Sequence, residues 1–470
     1  MLNYDVEDIL NGWRELAENL CSFRTGVNTT GNMAMFERLR DELPFTIRNF
    51  PAESEFNGWV IPKRWTVEKA EIRKDGNLLF DGKAHPLGVG MQSRSFQGTL
   101  DLDQLWPHIV TNKDLPSAHM FHCVWQYRPW AADWMFCVPW EVASKFEPGE
   151  YEIELIVQTT PEPMQVAEYR HEGESPLTFV FQAHTCHPGQ AEDGFGAVAL
   201  LVRLFQWLQG KKTRFSYLLL FGPEHLGTVF WLKDKAKKEL ERILGGIFME
   251  MPGLETPLKA TSSFLGSQYV DNVTRHVLQT GQGAYELVPW RCGAGNDETV
   301  WEAPGYEVPF VELTRCKDTC FPYATYHSSL DIVSSMDETH VCEMWGILKI
   351  IIKVIEHNSL VYRNFDGLIC LSNPQYDLYP KRYDPSICKY DDNEERMGKL
   401  IDSLFRYFDG TFTILDIALH HELPFFDVYN YIVLLKNKDL LMIEPYIPQR
   451  NKISVIKKRN YDENRIAQHL

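Results

Sequence analysis

The side chains able to do metal chemistry follow short apolar runs in this chain. His184 closes LTFVFQAH (177–184) and opens HTCHPGQAED, with His187 three residues on and Asp193 nine residues on. Glu224 and His225 follow FSYLLLFG (215–222), and Glu250 ends LGGIFME (244–250). His327 lies in YATYHSSLD, beyond VPFVEL (308–313). Imidazole and carboxylate donors without a thiolate suit zinc, with cobalt or manganese as substitutes. A carboxylate can bridge two cations about 3.5–4 Å apart, and such sites polarise a carbonyl and bring the pKa of bound water toward ~7. That chemistry also needs a base that is not a ligand. Glu224, on the same loop as His225, is suited to it.

The runs that carry these residues read as strands (177–184, 215–222, 244–250, 308–313) alternating with helices (194–209, 225–243, 267–280, 337–357). Alternation of this kind predicts an α/β fold with a mixed, mostly parallel sheet flanked by helices. In an open α/β sheet, ligands bind beyond the carboxyl ends of the strands, and four strands here aim metal-competent side chains at that edge. Each residue alone has an ordinary reading. A histidine at a strand end often only hydrogen-bonds, Asp193 could cap a helix, Glu224 could serve a helix dipole, and Glu250 could be a solvated strand end. Independent structural reasons would not gather them on one rim, so the joint placement favours a shared site. His187, in an HPG turn, reads as a support behind the metal. Cys186 is left out, because a thiolate is unusual in a hydrolytic two-metal site.

The order His184 … Asp193-Gly … Gly-Pro-Glu224-His225-Leu-Gly … Glu250 … Gly295-Asn-Asp297-Glu298 … Gly305-Tyr-Glu-Val-Pro309 … Tyr326-His327-Ser-Ser-Leu-Asp331 resembles the zinc aminopeptidase family with a co-catalytic metal pair. That family includes bacterial leucyl aminopeptidases and glutamate carboxypeptidases. A narrower resemblance, to aminopeptidase-like proteins of unsettled substrate, rests on VIPKRW (60–65), HTCHP (184–188), a β-rich insertion and a C-terminal winged helix. Genes of that subgroup often lie with surface-polysaccharide or secondary-metabolite genes. The resemblance implies zinc, as one ion or two. One metal would sit on His184, Asp193 and Glu250, and a second on Asp193, His225 and His327. A single zinc on His184, Asp193 and His327 is the alternative. Glu224 matches the general base. Asp297 matches an acidic position near the substrate, Glu298 and Glu250 are further carboxylates for a substrate amine, and Tyr326 falls on the substrate side. The chain departs from the family pattern where His225 replaces the second Glu of a Glu-Glu pair and where Glu250 stands for the usual Asp.

The remainder of the chain sets the context. Residues 1–58 and 166–360 are expected to form the aminopeptidase-like domain and 59–165 a β-rich insertion. Residues 361–392 read as a linker and 393–470 as a winged-helix domain with a two-stranded wing over 440–456. The aromatic segment 124–140 of the insertion reads as core rather than as a ligand platform, and the insertion is expected to limit access to the cleft. With 47 Lys and Arg against 64 Asp and Glu, the net charge is −17, which disfavours nucleic acid as a partner. The helix 424–439 has cations only at its end, and KKR (457–459) is the one basic patch. No apolar run reaches the roughly 18 residues of a membrane span, no signal peptide is evident, and ten scattered cysteines suggest reduced thiols. The expectation is a cytoplasmic zinc hydrolase of a small peptide or amide, aminopeptidase-like, with room for homo-oligomer contacts through the winged helix or the insertion. Two rivals stand beside it: a binding or regulatory protein acting through the winged helix, and a deacylase of a non-peptide amide in a biosynthetic pathway.

Overall fold

The computed structural model describes residues 3–379 and 392–450. By its internal contacts the chain divides into two compact units, Met1–Gly266 with Glu286–Trp345, and Ser267–Tyr285 with Gly346–Leu470.

The first unit opens with helices α1 (Asn3–Cys21) and α2 (Thr30–Glu42). In α1 the buried residues Trp13, Leu16, Ala17 and Leu20 form the i, i+3, i+4, i+7 stripe of a helix with one apolar face. Strand β1 (Thr46–Phe50) comes next. It is followed by β2 (Arg64–Lys74), β3 (Asn77–Asp81), β4 (Phe96–Asp101) and β5 (Glu150–Thr160). These four form an antiparallel sheet in the order β3-β2-β5-β4. Alternate residues Ala70, Ile72, Tyr151, Ile153 and Leu155 face a core completed by Trp65, Phe80, Trp134 and Phe136, the period-2 burial of a sheet with one covered face. The β-rich stretch and the α/β sheet fall within one contact unit.

Strands β6 (Met164–His171), β7 (Thr178–His184), β8 (Ser216–Gly222), β9 (Ile243–Met249), β10 (Leu258–Thr261), β11 (Tyr285–Val288) and β12 (Phe310–Thr314) join β1 in one eight-stranded sheet. Its order is β1-β6-β8-β7-β9-β12-β10-β11. The central strands β8, β7, β9 and β12 are mutually parallel, while β1, β6 and β10 run antiparallel to their neighbours. Every residue of β7, β8 and β9 is buried, which explains their unbroken apolar runs: strands covered on both faces do not alternate. The chain passes from β7 through helix α3 (Gly196–Leu208) to β8 on one side, then through α4 (Leu226–Lys233) to β9 on the other. The strand order therefore reverses between β7 and β9, where an open sheet leaves a crevice at its carboxyl edge. His184 pairs with Gly222 across β7 and β8, so those strands end level.

The helix expected over 225–243 stops at Lys233, with a single further turn at Lys237–Leu240. The helix expected from 194 is preceded by a five-residue π-type turn, Ala191–Phe195, which contains Asp193. Asp193 thus is not a cap for α3; it sits on a widened turn of the kind often found at functional sites.

The second unit contains α5 (Tyr269–Thr280) and is reached again through α6 (Glu338–His357). It continues with β13 (Ser359–Arg363), α7 (Asp392–Ser403), β14 (Asp409–Thr413), α8 (Ile414–His421), α9 (Phe425–Lys436) and β15 (Leu441–Pro445). Strand β13 lies between β14 and β15 and is antiparallel to both. The start of the expected linker, 361–363, is therefore strand, and among the described residues β15 pairs with β13. Residues 451–456 of that wing and the KKR cluster at 457–459 lie outside the described residues. No helix among the described residues is long and apolar enough to cross a membrane.

Candidate metal centre

The carboxyl edge at the β7/β9 crevice gathers the ligand candidates around one carboxylate. Asp193 lies with its two oxygens toward different partners. Oδ1 is 3.8 Å from His184 Nε2, and Oδ2 is 2.7 Å from His187 Nε2 and 3.6 Å from His327 Nε2. His184 Nε2 is also 3.2 Å from Glu250 Oε2. Two groups of three result, His184–Asp193–Glu250 and His187–Asp193–His327, each with donor atoms within 4.8 Å of one another. Burial raises the Asp193 carboxyl, but the His187 hydrogen bond and the neighbouring His327 and His184 outweigh it and hold the group well below its usual range. His327 is pushed down to about 4, chiefly by burial, so at neutral pH its ring is uncharged with a lone pair to offer. Nitrogen and oxygen donors around a carboxylate that faces both groups fit one or two divalent cations such as zinc.

The supports of this cluster are local. Gln190 Oε1 accepts from the backbone of Cys186 (2.9 Å) and His187 (2.7 Å), and its Nε2 donates to the His184 carbonyl (3.1 Å). One amide thus stitches the HTCHPGQ loop into a single conformation. Asp331 accepts from the backbone N–H groups of Glu192 (2.9 Å) and Asp193 (3.3 Å) and from the Tyr323 hydroxyl (2.9 Å), fixing the π-type turn. His225, Met251 and His327 all have positive φ, at 55°, 49° and 54°. Each follows a strand of the central sheet, and backbone strain of about 1–3 kcal/mol per residue persists only where the surroundings enforce it.

Glu224 follows β8 and keeps its side chain partly exposed, at 27% against 3% for Asp193. The Tyr127 hydroxyl donates to its Oε2 at 2.6 Å, and its backbone N–H donates to Cys186 Sγ at 3.2 Å. Burial would raise Glu224, yet His225, His184 and the Tyr127 phenol together bring it below its ordinary value. The carboxylate is therefore ionised and ready to accept a proton. Burial pushes the Cys186 thiol up to about 12, so it remains protonated, and Cys186 belongs to neither donor group.

His225 does not join the cluster. Its ring stacks on Trp59 (5.8 Å, 11°) and stands edge-on to Tyr127 (6.5 Å, 87°), with Nδ1 3.6 Å from Glu224 Oε1. Its expected place beside Asp193 and His327 is taken by His187, read from the sequence as a support only. The geometry also separates the expected substrate residues. Asp297 and Glu298 are fully buried. Asp297 accepts from the Thr228 hydroxyl and from the His225 N–H. Glu298 accepts from the Asn296 N–H (2.7 Å) and from Arg291 (3.1 Å), and burial raises its carboxyl to about 7. Tyr326 is half-buried and stacks on His327 at 3.8 Å, beside the cluster.

Residues 14–358 match the family described as "Domain of unknown function (DUF4910)". The chain belongs to the DUF4910 family. A protein of Clostridium acetobutylicum, whose name provisionally assigns it to polysaccharide biosynthesis with an aminopeptidase-like domain, is 25% identical over 351 residues, 73% of this chain and 77% of its own length. A crystal structure from the same organism, described provisionally as a peptidase, superimposes with a TM-score of 0.78 at 22% identity, over 94% of this chain and 98% of that one. BSAP, a zinc aminopeptidase from Bacillus subtilis, superimposes at 0.54 with 13% identity, over 75% and 95%. This DUF4910 chain thus has the zinc aminopeptidase-like fold.

The residues missed from the sequence come largely from the β-rich stretch. Phe121 packs face-on against His187 (4.1 Å, 26°) and edge-on to His327 (5.1 Å, 89°). Its N–H donates to the His327 carbonyl at 2.7 Å, and Met120 and Ser328 form a β-bridge. Trp125, Trp134 and Phe136 are core as expected, whereas Tyr127 reaches Glu224 and Trp130 is 62% exposed. Tyr127 had no distinguishing signal among so many aromatics. Gln190 had one: it follows HPG at the distance of a turn closed by its own side chain.

Proposed function

We propose that this protein is a zinc-dependent hydrolase of an amide or peptide bond, with Glu224 as general base. The observation that carries the reading is the convergence of His184, Asp193 and Glu250 beside an ionised, partly open Glu224 held by Tyr127. Those three residues would hold a zinc ion, which supplies an electrophile for the scissile carbonyl and acidifies a water. With Tyr127 occupying Oε2, Glu224 offers Oε1 to the attacking water, takes its proton, and returns that proton to the departing amine. Phe121 and Tyr326 pack aromatic rings against His187 and His327, and Trp59 against His225. The fold shared with zinc aminopeptidases supports a peptidase reading.

One observation favours a second reading, the deacylation of an amide on a sugar or biosynthetic intermediate. Asp297 and Glu298 are buried and engaged by Thr228 and by the Asn296 N–H, and Glu250, also buried, is committed to the metal, which disfavours a carboxylate that receives a free α-amino group. The polysaccharide-biosynthesis name of the Clostridium acetobutylicum relative agrees with a non-peptide amide. Zinc-loaded protein should be assayed on aminoacyl p-nitroanilides and on N-acetyl amino sugars, wild type against Glu224→Gln. Turnover of one class, abolished in the variant with zinc retained, is the expected result; a loaded protein inert to both classes overturns the hydrolase.

A further inference from the structure

Two histidines compete for the second metal position, and the geometry separates them. We propose that the second cation is held by His187, Asp193 and His327, and that His225, the chain neighbour of Glu224, is not a ligand. This rests on the metal-dependent reading above but concerns which residues bind rather than what is hydrolysed.

His187 has the features of a prepared ligand. Its Nδ1 is 3.0 Å from the Pro188 carbonyl, which can only accept, so Nδ1 donates there and Nε2 is the nitrogen left to face Asp193. That is the arrangement by which proteins orient a metal-binding imidazole, with the far nitrogen donating to a carbonyl. Nε2 points at Asp193 Oδ2, the oxygen that His327 also faces and that is turned from His184. The ring is buried and clamped by the Phe121 face, while Gln190 holds its backbone. Phe121 also touches the His327 ring and hydrogen-bonds its carbonyl, so one residue of the β-rich stretch sets both imidazoles.

His225 has none of these supports for metal binding. Its backbone is pinned at positive φ by Asp297 through its N–H. Its ring lies between Trp59 and Tyr127, and its carboxylate neighbour is Glu224, not Asp193. A ligand has thus moved from the loop after β8 to the loop after β7, where it shares one rigid turn with His184.

The test is metal stoichiometry on the full chain, stripped with a chelator and reloaded with Zn(II) or with Co(II), read by elemental analysis and by the cobalt absorption spectrum. Wild type should hold two ions. His187→Gln, which keeps an amide to donate to Asp193 but removes the imidazole, and His327→Ala should each hold one. His225→Ala should keep two, with an unchanged cobalt spectrum. Far-UV circular dichroism identifies any variant that fails to fold, and His187→Asn then replaces His187→Gln. The proposal is overturned if His225→Ala loses an ion while His187→Gln keeps both, or if wild type holds a single ion that survives His187→Gln. A wild-type protein that binds no ion would sink the metal-dependent reading as well; the two earlier outcomes would leave it standing.

Discussion

Glu224 and His225 are adjacent in the chain, yet they serve different surroundings, because the residues that bracket them come from elsewhere. Replacing Glu224 by Gln removes the proton acceptor but keeps the shape. It should lower turnover by about 10²–10⁴-fold with zinc content unchanged, measured as kcat on loaded protein beside elemental analysis. Tyr127→Phe removes one hydrogen bond to a charged group, at 2.6 Å, and leaves the ring. A charge-assisted bond of ~1.5–3 kcal/mol translates to a fall in kcat of roughly tenfold or more, with KM nearly constant. An equal fall in both parameters' ratio through KM alone would mean that Tyr127 binds substrate rather than positions the base. At this scale the sequence revealed which side chains were chemically competent, including His184, Asp193 and Glu224. It read His225 as a ligand and His187 as a support, whereas the geometry sets His187, not His225, beside Asp193; both follow strands and either imidazole suits zinc.

Among the elements, the loop after β7 and the π-type turn before α3 matter most. Gly194 is required there by packing: a Cβ at that position would meet Gln190 Nε2 at 1.9 Å. Gly194→Ala should displace the Gln190 amide that stitches the HTCHPGQ loop. The expected cost is about 1–3 kcal/mol of stability for overpacking, seen in urea unfolding. Zinc affinity should weaken by about 10–100-fold, as when an orienting partner is lost, seen by competition with a chelator. If affinity is unchanged, the loop does not depend on Gln190. The four parallel strands were legible from their unbroken apolar runs, because burial on both faces leaves a direct imprint on residue order. Strand β13 was not, because an antiparallel pairing with β14 and β15 is a long-range event that a five-residue segment does not announce.

For the first unit as a whole, two titrating rings give a pH dependence. His85 and His119 stack at 4.1 Å and 2°, and the Leu87 N–H donates to His85 Nδ1. Burial, with His119 beside it, brings His85 down to about 4, below the ~6.5 of an unfolded chain. The folded state therefore prefers the neutral ring. Its contribution is complete above about pH 6.5 and is lost as pH falls toward 4, where the unfolded chain binds the proton first. Unfolding free energy measured from pH 7.5 to 4.5 should decline over that window, and His85→Phe should flatten the decline. A variant with the same slope as wild type would assign the loss to other groups. For the whole chain, the charge of −17 predicts no retention of DNA in a gel shift at modest salt, and a specific band would restore the regulatory rival.

Residue order by itself determined the α/β class, the four strands that end at one edge, and the donor types waiting there, because periodicity and strand-end chemistry are local properties. Tertiary structure alone decided which imidazoles face Asp193, that Asp297 and Glu298 are buried and hydrogen-bonded, and that Phe121 and Tyr127 reach His187 and Glu224. The physical reason is the same in each case: a side chain's direction depends on the backbone angle of its loop and on neighbours more than fifty residues away in sequence, and neither is written in the residue's type.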